Sequence, residues 1–216
     1  MKNYTKISCE NRQEWLSHRR LGSSDASAIM GTSKWRTKGD IYDTIVLNKQ
    51  SDNSSSERMI EGTIAEEHIR KLWELEHKEY KVIYEPNWLF VSTENDYLTL
   101  SPDALLEKNG ILGGLEIKDV ELRKKIDIDL WHNGIPEYYF NQLIHYFIVL
   151  NDCEFMILNA RLKYMVGSEL DKIEERSYYI ARKDCEEIIA KQRDAEERFI
   201  DTYLKKKKRP SVEFKL

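Results

Sequence analysis

Asp103, Glu116 and Lys118 have the types and the spacing to share one hydrolytic site. On a strand, side chains two apart point the same way. In Leu115-Glu116-Ile117-Lys118 the acid and the base therefore share one face, while Leu115 and Ile117 share the other. Asp103 follows Pro102 just past the strand-like "YLTL", and a proline there ends or bends a strand, which puts this carboxylate at a sheet margin. A short turn between two strands can bring Asp103 beside Glu116. Two neighbouring carboxylates cannot both stay ionised cheaply unless a cation lies between them. A hard divalent ion resolves the conflict, and Mg²⁺ suits a site of few protein ligands and several waters. Lys118 would stand where charge develops on a phosphate. Taken by itself this pattern is weak, because charged residues on edge strands are common. Glu107, Lys108, Asp119 and Glu121 read as such ordinary solvated groups.

The surrounding elements must hold these groups in place. Short helices are expected over 11–19, over 24–30 ended by Gly31, and over 38–47 with Thr37 as N-cap. The Ser/Asn-rich stretch 48–57 reads as a mobile surface loop. A longer helix over 57–78 carries Ile60, Ile64, Ile69, Leu72 and Trp73 at helical spacing. Three strands in a meander follow, over "YKVIYEPNWLFVS", "YLTLSPDALLE" and "GILGGLEIKDVE". A helix over 136–150 puts Tyr139, Leu143, Tyr146 and Phe147 on one stripe, where aromatics usually pack as core. Strands over 153–163 and 173–181 and a long helix over 184–204 complete the chain. The fold class expected is mixed α/β, more closely α+β, with a central mixed sheet flanked by helices.

With 216 residues, one domain over 1–216 is the expected organisation. Hydrophobic residues make up 41% and charged residues 33%, and no apolar stretch approaches the roughly 20 residues that span a bilayer, so no membrane partner is expected. The N-terminal sequence lacks the apolar run of a signal peptide, which points to the cytoplasm. Cys9, Cys153 and Cys185 are too few and too scattered for a disulfide framework or an iron–sulphur cluster. The net charge of −4 disfavours a wholly basic nucleic-acid-binding surface. Basic clusters at 18–20, 34–38, 123–125 and 205–209 nevertheless allow a local positive groove.

"SPDA" followed by "LEIK" resembles the PD-(D/E)xK nuclease signature. Three further blocks, in order, resemble the lambda-exonuclease and YqaJ-type phage recombinase branch of that superfamily. These are "EWLSHRRLGSSDASAIMGTSKWRTKGDIY", "MIEGTIAEEHI" with Gly62 and Glu66 in a Gly-x-x-x-Glu pattern, and "IPEYYFNQLIHYFIVL" with Gln142 and Tyr146 in Gln-x-x-x-Tyr. The likeness runs from about residue 12 to 150, and four ordered blocks are far more specific than any one. One departure follows the lysine, where Asp119-Val120-Glu121 replaces the small or hydroxyl residue and proline common in relatives.

The resemblance implies a restriction-endonuclease-like core and a metal-dependent DNA exonuclease. Mg²⁺, for which Mn²⁺ can substitute, would be held by Glu66, Asp103, Glu116 and the Ile117 carbonyl. Lys118 would stabilise charge, and Gln142 would hold the attacking water or orient Lys118. Glu67 points about 100° from Glu66 on a helix and is the lesser candidate. Arg19, with Arg20 close behind, and Ser24 would bind the 5′ phosphate of a duplex DNA end, Ser24 standing at a helix start where it could equally be an ordinary N-cap. Trp35 would stack on a DNA end or base or serve the core. His132 and His145 are given no role. The implied partners are duplex DNA ends, a single-strand annealing protein and further copies of the chain in a trimeric ring. The rival readings are an endonuclease or nickase of the same fold, and a catalytically silent protein that binds DNA ends.

Overall fold

A computed structural model describes residues 2–49 and 57–211, and within these the side chains of 57–61 and 63 are left aside. The expected loop over 48–57 thus falls largely outside the described residues, as does the Ile60 side chain. The first elements are β1 (Tyr4–Ser8), α1 (Arg12–His18), α2 (Ser23–Met30), α3 (Lys38–Ile45) and α4 (Glu57–Glu76). Next come β2 (Lys81–Ile83), β3 (Trp88–Ser92), β4 (Thr99–Leu100), β5 (Ala104–Lys108) and β6 (Ile111–Leu122). The chain continues through α5 (Lys125–His132), α6 (Glu137–Val149), β7 (Cys153–Val166), β8 (Glu169–Ala181) and α7 (Glu186–Phe199). The last helix runs on as π-helix over Ile200–Leu204.

The central sheet has the order β2-β5-β6-β7-β8 and is mixed, with β6 and β7 parallel and the other pairs antiparallel. Parallel pairing needs a long crossover, which α5 and α6 supply. A second, antiparallel sheet has the order β1-β3-β4. The expected three-strand meander is therefore divided between two sheets. Each of its first two segments breaks in the middle, at 84–87 and at 101–103 around Pro102, and the halves on either side join different sheets. The N-terminal strand β1 and the helix α5 were not expected from the sequence.

The two faces of the central sheet carry separate apolar clusters. On one, Leu115 and Ile117 of β6 pack with Ile69 and Trp73 of α4. On the other, α6 brings Leu143, Ile144, Tyr146 and Phe147 against β7, with α7 behind it. Of the α4 stripe, Ile69 and Trp73 are buried while Ile64 and Leu72 face solvent. Nine of thirteen residues of α6 are buried, so its polar positions need partners inside the protein. Asn141 and His145 find them on α7. Asn141 Nδ2 donates to Gln192 Oε1 at 3.1 Å, and His145 Nδ1 lies 2.9 Å from Glu196 Oε2. The basic C-terminal segment folds back on α3: Arg209 pairs with Asp43 at 2.8 Å, and Tyr42 donates to the Lys207 carbonyl at 2.7 Å.

Candidate active site

The antiparallel register pairs Ala104 with Leu115, so the residue before β5, Asp103, stands opposite Glu116. This is the juxtaposition expected from the sequence, and hydrogen bonds fix it. Asp103 Oδ2 accepts from the Ile117 N–H at 2.7 Å. Glu116 is 5% exposed, and its Oε1 accepts from Lys118 Nζ at 2.5 Å. Leu115 and Ile117 are fully buried on the opposite face. The apolar half of the strand anchors it, and the polar half is presented toward α6.

The glycines ahead of the acid make room for this arrangement. A Cβ on Gly113 would come within 2.3 Å of the Phe155 ring, and one on Gly114 within 2.5 Å of Met156 Sδ and 3.0 Å of the Tyr146 ring. Tyr146 can therefore lie against β6 and reach the carboxylates. Its hydroxyl donates to Glu116 Oε2 at 2.5 Å and accepts from the Asp103 N–H at 3.3 Å. Sequence reasoning assigned Tyr146 to the core. Its ring is core, wholly buried, but its hydroxyl belongs to the site. Tyr139 is likewise more than packing, since Lys118 Nζ lies 5.6 Å from its ring centroid. Gln142 stands between the two tyrosines at the i, i+3, i+7 spacing that puts all three on one face of α6. Gln142 Oε1 is buried and has no hydrogen-bond partner among the described residues.

The electrostatics bind these groups into one unit. Burial pushes the Asp103 carboxyl well above the usual carboxylate range, and Glu116 and Glu66 push it further against the pull of Lys118 and the Ile117 N–H. Glu66, brought by α4, is raised in the same way by burial and by Glu116, and is relieved by Lys118. Burial would strip Lys118 of its proton, but Glu116 and Asp103 overcome this and raise its pKa. Tyr139 is pushed up to about 12, chiefly by burial, and Tyr146 well above its ordinary value by burial and the two acids. Asp119 also belongs to this field, since its charge raises Glu66. It pairs with Lys163 at 2.8 Å and leaves Oδ1 buried without a partner among the described residues. Glu67 pairs outward with Lys71, Glu107 with Lys81 and Glu121 with Arg123, as expected of solvated groups.

Among the described residues no three His, Cys, Asp or Glu side chains stand where they could together hold a metal ion. The chemistry of the donors fits a divalent cation nonetheless. Glu66 and Asp103 are destabilised as anions by burial and by the charge of Glu116, and Asp103 by Glu66 as well, which is the condition a cation relieves. All the donors are hard oxygens, and Mg²⁺ needs only one or two carboxylates beside its waters.

The expected end-binding group lies at the end of α1 and the start of α2. Arg19 Nη2 donates to Ser24 Oγ at 3.2 Å and to Asp25 Oδ2 at 3.0 Å. Asp25 is fully buried between Arg19 and Arg36, and although burial opposes it, the two guanidinium groups hold its pKa below the ordinary value. Ser24 is not the N-cap. Gly22 caps α2, and its N–H donates to Asp25 Oδ2 at 3.0 Å. This leaves the Ser24 hydroxyl to Arg19. Arg20 turns away, its guanidinium donating to the Ser17 and Arg19 carbonyls at 2.7 and 3.1 Å. Trp35 is 65% exposed and packs edge-on against Tyr138, with ring centroids 4.9 Å apart, beside Tyr139. It forms the outer end of an aromatic row leading to Lys118. His145 is buried with both ring nitrogens engaged, and His132 is exposed.

Comparison with known proteins bears on the family and the fold. A family model described as the YqaJ-like viral recombinase domain matches residues 14–152. The curated protein YqaJ of Bacillus subtilis (strain 168), itself described as uncharacterized, is 26% identical over 148 residues, which cover 65% of this chain and 43% of that protein. The chain thus spans less than half of that relative's length. Among solved structures, the alkaline exonuclease LHK-Exo of Laribacter hongkongensis aligns with a TM-score of 0.60 at 20% identity, over 90% of this chain and 97% of that one. LHK-Exo in complex with dAMP aligns with a TM-score of 0.56 at 18% identity, over 91% and 97%. The shared fold is thus that of an alkaline exonuclease, a central mixed sheet flanked by helices.

Proposed function

The chain belongs to the YqaJ-like viral recombinase domain family, and from that premise we propose that it is a divalent-metal-dependent deoxyribonuclease that degrades one strand of duplex DNA from its end. The observation that carries this reading is the joining of Asp103, Glu116, Lys118 and Tyr146 in one hydrogen-bonded unit, with Glu66 in the same electrostatic field. Glu66, Asp103 and Glu116, with the Ile117 carbonyl, would hold Mg²⁺ or Mn²⁺. When bound, such an ion supplies Lewis-acid polarisation of the scissile phosphate and of water.

The chain's own residues account for the rest. Lys118 keeps its proton under the influence of Glu116 and Asp103, so it serves as a fixed positive charge for the phosphorane-like transition state and not as a base. Tyr146 and Lys118 each donate to a different oxygen of Glu116 and so fix its rotamer. Gln142 Oε1, with no donor among the described residues, can accept from the attacking water and orient it. Arg19 and Ser24 would receive the terminal 5′ phosphate, which gives digestion its direction. Exonuclease action on a 5′ end, a trimeric ring and an annealing partner fit a role in single-strand-annealing recombination of a phage or prophage. Duplex DNA and the annealing partner are the partners proposed.

Lys118→Ala tests the chemistry. Normal binding of DNA with loss of all Mg²⁺-dependent cleavage is expected, and a wild-type protein that leaves DNA unchanged in both Mg²⁺ and Mn²⁺ would overturn the reading.

A further inference from the structure

The cleft that Glu66 and Asp103 line has walls that the proposed chemistry does not use. It encloses about 190 Å³, and it also carries Arg12 of α1 and Arg70 of α4, one helical turn beyond Glu66. Each guanidinium sits over an aromatic ring. Arg12 Cζ lies 3.7 Å from the Trp15 ring centroid, and Arg70 Cζ lies 3.3 Å from that of Tyr84. Neither makes an ion pair with a carboxylate among the described residues, although two other acids line the same cleft. Those two are committed elsewhere, Glu67 to Lys71 and Glu85 to Lys6 and Ser8.

A guanidinium stacked on a ring is held in place and stripped of water on one face, while its planar N–H edge stays open to two oxygens of a phosphate. Arg12 also has a like-charged neighbour, since Arg19 Cζ lies 5.8 Å from the same indole. Burial and then the charge of Arg19 weaken the hold of Arg12 on its proton. A bound phosphate would reverse the second effect. Arg70 bears on Glu66 through its charge, lowering the cost of ionising that carboxylate.

We propose that Arg12 and Arg70 bind backbone phosphates of the DNA strand that crosses this cleft to Glu66 and Asp103, irrespective of base sequence. This rests on the nuclease reading above and adds a substrate-gripping wall to the site. Two guanidinium groups on stacked platforms would hold the strand in register while the reactive phosphate meets the acids, so their loss should weaken capture of the strand more than the chemical step.

The test uses Arg12→Met and Arg70→Met, which keep an apolar stem over each ring and remove the charge. Duplex affinity is measured against salt in the absence of divalent metal, and cleavage kinetics in Mg²⁺. Each substitution is expected to flatten the slope of log affinity against log salt by about 0.9, the contribution of one phosphate contact. KM should rise several-fold, and lysine at either position should restore the slope. An unchanged slope together with an unchanged KM in both Met variants overturns the proposal, and shows the pair to be ordinary packing. A scan of single methylphosphonate linkages against the wild-type protein needs no variant to fold. Weakened binding at two or more interior positions is expected, and uniform affinity overturns the proposal. Wild-type protein that neither binds nor cuts DNA ends would instead sink the nuclease reading itself.

Discussion

Tyr146→Phe isolates the hydroxyl that joins the two acidic residues of the site. The phenyl ring keeps the buried volume, so the loss is confined to one donor to Glu116 Oε2 at 2.5 Å and one acceptor for the Asp103 N–H at 3.3 Å. The first bond ends on a carboxylate and is short. A hydrogen bond to a charged group contributes about 1.5–3 kcal/mol. The second is long and adds little. If the hydroxyl fixes Glu116 for the reaction, that energy appears in the transition state as a loss of roughly 10- to 100-fold in kcat, at about 1.4 kcal/mol per decade. KM for DNA should move little, because Tyr146 lies beneath the acids and is wholly buried. The same loss would lower Tm by several degrees, at about 2–4 °C per kcal/mol for a chain of this size. The assay is steady-state release of nucleotide from linear duplex at saturating Mg²⁺, run well below the melting range and repeated across Mg²⁺ concentrations. A kcat within threefold of wild type with an unchanged Mg²⁺ dependence would refute this role for Tyr146.

Further predictions follow from neighbouring contacts. Gly113→Ala should destabilise the fold by roughly 1–3 kcal/mol through overpacking, because the Phe155 ring it meets is held between Tyr80 and Tyr179; urea melts with an unchanged midpoint would contradict this. His145 faces an acceptor at each nitrogen, Glu196 Oε2 at 2.9 Å and the Thr99 carbonyl at 3.0 Å, which calls for the doubly protonated ring. Burial lowers its pKa, but Glu196 and Thr99 raise it more, to a net rise. Its stabilisation is therefore complete below the unfolded value of about 6.5 and is lost as pH rises through the higher folded value. Thermal melts across that window should fall with pH in the wild type and less so in His145→Gln, and parallel curves would count against the ion pair. A 5′-phosphorylated duplex should be digested faster than its 5′-hydroxyl counterpart if Arg19 and Ser24 receive the phosphate. Equal rates would remove that pocket from the scheme.

Strand alternation was enough to place Glu116 and Lys118 on one face of β6, and the structure shows why both faces matter, since Leu115 and Ile117 seal the α4 side. The pairing of Asp103 with Glu116 was legible because Pro102 ends a strand just before Asp103 and a short turn, Asn109-Gly110 in the structure, joins the two strands that carry the acids. Tyr146 was not, since an aromatic at helical spacing looks the same whether or not its hydroxyl is used, and here the ring and the hydroxyl serve different ends. Asp119 was hidden for a similar reason: nothing in its sequence position distinguishes a solvated acid from one whose field reaches a residue on a helix packed against the sheet. The division of the meander into two sheets was obscured because each half-strand is only two to five residues long, too short for alternation to show that its partner changes. Helix α5, "KIDIDLWH", alternates isoleucine and aspartate as a strand would, and it buries only Trp131. The cleft arginines lie far apart in sequence, on α1 and α4, and only the folded chain brings them to one wall.

The most direct test of the whole reading sets linear duplex, labelled at its 5′ ends, beside covalently closed circular DNA, each incubated with the wild-type protein in Mg²⁺ and in excess chelator. Release of mononucleotides from the linear duplex in Mg²⁺ alone, with the closed circle untouched, is the predicted outcome. Nicking or linearisation of the circle would contradict end-directed digestion, and an intact linear substrate in Mg²⁺ would contradict nuclease activity altogether.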